Sequence, residues 1–160
     1  MIVEIRKTRL YDAEELHRNI NDNEPLEGLS QLRRVKRNIT RNLKEWKIKR
    51  TYAFTIFADE KIVGQIFLEN PSMDQGRYEI GFYVGKKHWG KGIATQAIER
   101  AVKYGFDKLK LYKIWGDHDS DNPASGKAME KAGLEMEGRL KKHSKKNGKF
   151  IDILMWGKTR

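Results

Sequence analysis

"EIGFYVGKKHWGKGIATQAIERAV", residues 79–102, is the stretch on which the reading turns. Its first half alternates. With Tyr78 included, Tyr78, Ile80, Phe82 and Val84 fall on one side of an extended chain, and Glu79, Gly81 and Tyr83 on the other. Its second half changes period: Ile93, Ala94, Ala97, Ile98, Ala101, Val102 and, just beyond, Phe106 recur at helical spacing. Between the two, Gly85, Gly90 and Lys91 fit the phosphate-loop spacing G-x-x-x-x-G-K. Gly92, however, stands where a magnesium-binding hydroxyl is required. The glycines still let backbone approach a ligand and turn N–H groups towards it. A helix beginning near Gly92 adds unpaired N–H groups and a positive dipole end. Together these suit a pyrophosphate held without a metal. The simpler alternative is a strand-to-helix turn that needs glycine for its geometry.

Outward from this stretch, Ile2 to Arg6 reads as a first strand and Asp12 as the cap of a short helix to about Asn21. Leu29, Leu32, Val35, Ile39, Leu43 and Trp46 form one helical stripe over 29–48. Residues 52–57 and 61–68 alternate as strands around the turn Ala58-Asp59-Glu60, which predicts a hairpin. Residues 70–76 read as a loop. Beyond the helix, 111–115 reads as a strand and 122–131 as a helix closed by Gly133. Residues 134–140 and 150–156 are final strands, with a turn at Asn147-Gly148. The order β-α-α-β-β-β-α-β-α-β-β predicts an α/β (α+β) fold, a mixed and mostly antiparallel central sheet with helices on both faces. No repeat or linker interrupts residues 1–160, which are expected to form one domain.

Composition narrows the classes of function. A hydrophobic fraction of 38% with four Trp, six Tyr and six Phe supports a real core. The absence of cysteine excludes disulfides and thiolate chemistry. His17, His88, His118 and His143 share no ligand spacing, so no metal site is expected. The opening MIVEIRKTRL is too short and charged for a signal peptide, and no apolar run reaches the length of a membrane span. The expectation is a soluble cytoplasmic protein without membrane contact. The net charge of +11 is concentrated in residues 33–50 and 139–149. Those segments are either a solvated basic surface or a docking face for an anion such as RNA.

Four stretches in order resemble the GNAT superfamily of N-acetyltransferases. Trp89-Gly90-Lys91-Gly92-Ile93-Ala94 is similar to its acetyl-coenzyme-A loop, Gln/Arg-x-x-Gly-x-Gly/Ala, with Trp89 in the Gln/Arg position. Glu79-Ile80-Gly81, Asn122-Pro123-Ala124-Ser125, and "EKAGLEMEGRL" (130–140) with "NGKFIDILMWG" (147–157) resemble its branch of ribosomal-protein N-terminal acetyltransferases (RimJ/RimL-like). The likeness covers roughly residues 50–157; residues 1–50 match in layout only.

The resemblance implies acetyl transfer from acetyl-coenzyme A to an amine by direct attack in a ternary complex. It implies that the N–H groups from Gly90 through Lys91, Gly92, Ile93 and Ala94 to Thr95 hold the pyrophosphate. The pantetheine arm would enter where the central strand splays from the next one and pair near Phe82, Tyr83 and Val84. An N–H near Phe82 would polarise the thioester carbonyl. Asn122, at the head of its helix, would contact the pantetheine. Glu79 is the first candidate for general base, against the plainer reading of a carboxylate paired to a neighbouring Lys or Arg; Asp117, His118 and Asp119 are runners-up. Counted from Asn122, Met129 takes the place where relatives carry a tyrosine acid, which leaves Ser125 as the matched donor to the leaving sulfur. The acceptor implied is a protein N-terminus, with a polyamine or antibiotic amine, or a non-catalytic coenzyme-A-binding module, as alternatives. Glu14, Glu15, Asp22, Glu24 and Glu27 could line a cleft for a cation. A place near the ribosome is compatible with the basic surface, and a homodimer is among the assemblies allowed.

Overall fold

The computed structural model describes residues 1–20, 28–70 and 76–160. Its elements are β1 (Val3–Lys7), α1 (Ala13–Ile20), α2 (Gly28–Lys47), β2 (Thr51–Ala58), β3 (Lys61–Glu69), β4 (Arg77–Val84), α3 (Ile93–Asp107), β5 (Lys113–Asp119), α4 (Pro123–Lys131), β6 (Glu135–Lys146) and β7 (Lys149–Thr159). They follow the order the periodicities predict. The seven strands make one sheet, β1-β2-β3-β4-β5-β7-β6, in which only β4 and β5 run parallel.

The alternation of β2–β4 sets the two faces. Phe54, Ile66, Leu68 and Ile80 point to the side covered by α3 and α4, where Ile93, Ala97, Ile98, Ala101 and Met129 join one buried cluster. Burying each such side chain fully is worth about 1.5–3 kcal/mol. On the opposite face Ala13 and Leu16 of α1 meet Ile39 of α2, with Leu32, Val35, Leu43 and Tyr83 packed around them. This smaller cluster packs on Ile62 of β3 and Tyr83 of β4, and among the described residues no helix packs on that face of β5 and β7.

Several local readings need correction. Asp12 stands just before α1 but acts as a buried hub: its carboxylate binds Arg6 at 2.7 and 3.0 Å, the Arg9 N–H at 2.8 Å and the Thr55 hydroxyl at 2.8 Å. Strand β5 begins at Lys113, not Leu111. The Leu111 N–H bonds the Gly105 carbonyl and its side chain sits in the core, so it closes α3 instead of opening the strand. The β6–β7 hairpin is longer than its apolar pattern suggests. Its lysine-rich tip is held by pairing with β7 and by Asp152, which accepts from Arg139 at 2.6 Å and from the N–H of Lys142 at 2.7 Å, where φ is 51°. Asp22, Glu24 and Glu27, with most of the 70–76 loop, lie outside the described residues. Glu14 and Glu15 pair with Lys36 and Arg18.

Candidate active site

The sheet opens where the parallel pair should continue. β4 and β5 pair only over Arg77–Glu79 and Lys113–Trp115. Beyond Glu79, β4 keeps β3 on one side and has no strand on the other. Alternation says which backbone groups face the opening. The Gly85 N–H bonds Val63, and the Tyr83 carbonyl lies against Gly64, so residues 81, 83 and 85 turn their groups to β3. Ile80, Phe82 and Val84 therefore turn theirs to the gap. The Ile80 carbonyl agrees, lying 2.8 Å from where a Cβ on Gly116 of β5 would be. That close approach requires glycine at 116. Past it the strands part, and the Phe82 N–H and carbonyl are left for another partner.

The loop after β4 divides its glycines by task. A Cβ on Gly85 would meet Asn19 Oδ1 at 2.6 Å, so Gly85 serves packing against α1. Gly90 and Gly92 take φ of 74° and 72°, and a Cβ on either would meet nothing within 4 Å. Gly92 is the N-cap of α3. The Gln96 N–H bonds the Gly92 carbonyl, so the N–H groups of Ile93, Ala94 and Thr95 precede the helix ladder and have no partner inside it. Open space, free N–H groups and a helix dipole in one place fit a phosphate ligand. Trp89 does something the motif does not predict. The residue is 61% exposed, and its Nε1 donates to the Val84 carbonyl at 2.6 Å. It straps the loop to the end of β4 and occupies that carbonyl. Lys91 folds back to the Lys87 carbonyl at 3.2 Å.

Glu79 sits where β5 leaves β4, half-buried and on the face away from α3. Burial, then the charges of Asp117 and Glu69, raise its pKa above the ordinary carboxyl value of 4.5. Glu69, which sequence reading missed, is its cross-strand partner on β3. It was findable once the hairpin register placed the two side by side. Burial and Glu45 also raise the pKa of Glu69, against the pull of Arg41 and Arg50. Asp117 shares this face; His118 does not. Its ring is buried under α4, stacked on Trp156, with Nδ1 donating to the Asp119 carbonyl and Nε2 lying 2.4 Å from where a Cβ on Gly126 would be.

Asn122 stands at the N-cap of α4, but its side chain makes no capping bond. Its amide instead donates to Ser125 Oγ at 2.9 Å, which leaves the Ser125 proton free for an outside acceptor. Met129 is fully buried in the main core. Glu79 and Ser125 share no hydrogen bond with each other. Among the described residues no three His, Asp or Glu side chains gather as a metal site, and no helix is long and apolar enough to cross a membrane.

The comparisons agree with this geometry. The model of the acetyltransferase (GNAT) domain matches residues 3–135. An uncharacterized N-acetyltransferase, p20, of Bacillus licheniformis is 29% identical over 160 residues, spanning 95% of this chain and 89% of that protein. The spermidine N(1)-acetyltransferase of Escherichia coli K12 is 30% identical over 101 residues; the match spans 63% of this chain and 54% of that enzyme's length. Among solved structures, Mycobacterium smegmatis RimJ in complex with CoA-disulfide superimposes with a TM-score of 0.83 at 26% identity, covering 98% of this chain and 81% of that one. The chain belongs to the GNAT acetyltransferase family and is an acetyl-coenzyme-A-dependent N-acetyltransferase.

Proposed function

We propose that the enzyme acetylates a protein N-terminal amine by direct attack within a ternary complex, as in the ribosomal-protein branch its 122–125 and 147–157 stretches resemble. One observation carries the transfer chemistry of this reading: Glu79 lies half-buried at the mouth of the gap between β4 and β5. When bound, acetyl-coenzyme A supplies its acetyl group as a thioester. The N–H groups from Gly90 to Thr95 hold its pyrophosphate. The Phe82 backbone and the Val84 N–H line the path of its arm, with the Phe82 N–H polarising the carbonyl; Tyr83, expected there from the sequence, turns its backbone groups to β3, and the Val84 carbonyl is taken by Trp89. Asn122 orients Ser125. Glu79 takes a proton from the ammonium, directly or through water, and the neutral amine so formed attacks; the second proton that the nitrogen loses replaces the one Ser125 gives to the departing sulfur. The nitrogen–carbon bond forms as the carbon–sulfur bond breaks.

Residues 1–160 act in this reading as one cytoplasmic domain, and the exposed basic faces of α2 and β6–β7 suit work near ribosomal RNA. A second reading, a polyamine acceptor, is favoured by the carboxylates of Glu69, Glu79 and Asp117 on one face and by the spermidine relative. Calorimetric titration with acetyl-coenzyme A, ATP–magnesium serving as control, tests the donor. Acetylation of N-terminal peptides against spermidine then tests the acceptor. Peptide turnover is expected; turnover of spermidine alone would move the assignment to the second reading.

A further inference from the structure

Helix α2 closes a cavity of about 170 Å³ against β3 and β4. Its walls carry Asn38, Arg41 and Asn42 from the helix and Gln65, Glu69 and Tyr83 from the strands. Asn42 is the anomaly. It is 6% exposed, and its Oδ1 has no hydrogen-bond partner. It lies on the stripe of α2 that otherwise buries Val35, Ile39, Leu43 and Trp46, where an apolar side chain would satisfy the packing. A buried acceptor left unpaired costs about 1–3 kcal/mol. Among the described residues nothing compensates it.

The surrounding chemistry says what is missing. The Gln65 amide N–H is committed to Thr8 Oγ1 at 3.0 Å, which leaves its carbonyl oxygen as an acceptor. Glu69 adds a carboxylate. Among the described residues Arg41 is the one cation of the lining, and its charge already acts on Glu69. The walls thus set acceptors at Asn42, Gln65 and Glu69 beside donors at Asn38, Arg41 and Tyr83, yet among the described residues none of those donors reaches Asn42 Oδ1. The cavity also adjoins the reaction centre. Phe67, in its lining, is the cross-strand partner of Gly81, and Glu69 is the partner of Glu79. A Cβ on Gly81 would meet nothing within 4 Å, so the face beside Glu79 is open. An amine resting there directs the remainder of its molecule towards Asn42.

We propose that this cavity is the acceptor's specificity pocket, and that it takes a hydrogen-bond-donating group, a hydroxyl or a second amine, carried a few bonds from the amine that is acetylated. The inference rests on the acetyl-transfer reading of the site. It selects among N-terminal residues and among small amines by the same chemistry.

The test compares near-isosteres. Peptides beginning with Thr and with Val differ by a hydroxyl for a methyl; aminopropanol and butylamine differ in the same way. With the wild-type enzyme, kcat/KM is expected to favour the donor-bearing member of one pair by about 10-fold or more, since a site built for a donor rejects the analogue that lacks it. The pair that shows the preference identifies the acceptor as peptide or small amine. In Asn42→Leu the preference falls to near unity while the Kd for acetyl-coenzyme A stays at the wild-type value. Equal kcat/KM within both pairs, or acetylation of no member of either, overturns the pocket. Both measurements stand on the wild type alone should Asn42→Leu fold poorly. Absence of acetyl-coenzyme-A binding by calorimetry is a separate result and overturns the transfer reading instead.

Discussion

Replacing Gly92 with alanine adds one Cβ at the turn into α3, where φ is 72° and the space a Cβ would occupy is open. In the free enzyme the change is one of backbone strain alone. The left-handed conformation costs a non-glycine residue about 1–2 kcal/mol. Restricting the unfolded chain returns about 0.4–1 kcal/mol. The net loss is about 1 kcal/mol, or a Tm lower by about 2–4 °C. Binding should suffer more, because the new methyl projects into the cradle. A hydrogen bond to a charged group contributes about 1.5–3 kcal/mol, so displacing one phosphate contact weakens acetyl-coenzyme A by about 10- to 100-fold. Gly148 supplies the control. It has φ of 79°, equally open space, and a place in the β6–β7 turn far from the cradle in sequence. Gly148→Ala should show the same fall in Tm with wild-type affinity. Calorimetry on both variants decides the matter. If Gly92→Ala binds acetyl-coenzyme A as Gly148→Ala does, the loop is a turn and the pyrophosphate assignment is wrong.

Glu79→Gln should lower kcat by about 10²–10⁴-fold with an unchanged Kd for acetyl-coenzyme A; a wild-type kcat would move the base role to Asp117. The wild-type kcat should rise with pH through a pKa above 4.5, and Glu69→Gln should move that limb to lower pH by removing a neighbouring negative charge. Since folding raises the Glu79 pKa, its contribution to stability is present below the ordinary carboxyl value and is lost as pH rises through the raised one. Glu79→Gln should therefore melt higher than wild type near pH 7 and show no such advantage in acid; equal melting at both would argue against a destabilised carboxylate. Asp12 has the opposite sign. Burial alone would raise its pKa, but the bonds from Arg6, the Arg9 N–H and Thr55 outweigh burial and lower it. Its contribution is present above the ordinary value and is lost as pH falls through the lowered one. Asp12→Asn should cost about 3–5 kcal/mol in denaturant unfolding, because it leaves Arg6 and its bonds uncompensated; a cost under about 1 kcal/mol would refute the hub. Ser125→Ala should reduce kcat and not acetyl-coenzyme-A affinity, and equal turnover would remove it from the transfer step.

What the sequence determined by itself was whatever a residue owes to its neighbours along the chain. The period-2 run of 78–84 and the helical stripe of 93–106 place the strand, the loop and the helix without tertiary information, because side-chain direction follows from local backbone geometry. The glycines of the loop were legible as places where backbone can approach a ligand, but which of them take positive φ, Gly90 and Gly92 and not Gly85, is seen only in the fold. The tertiary structure decided what depends on residues far apart. That β5 parts from β4 after Glu79 follows from Gly116 lying against Ile80, a contact no local pattern encodes. Glu69 beside Glu79 is a matter of hairpin register. Asp12 looked like a helix cap because capping is local, and became a buried ion-pair hub because β1 and β2 bring Arg6 and Thr55 to it. Asn42 lay unnoticed on an apolar stripe of a basic helix; only packing against β3 and β4 removed it from water and left its oxygen unpaired. Desolvation and cross-strand charge are sums over the folded environment, which is why the elements could be read from the sequence and the chemistry of Glu79, Glu69 and Asn42 could not.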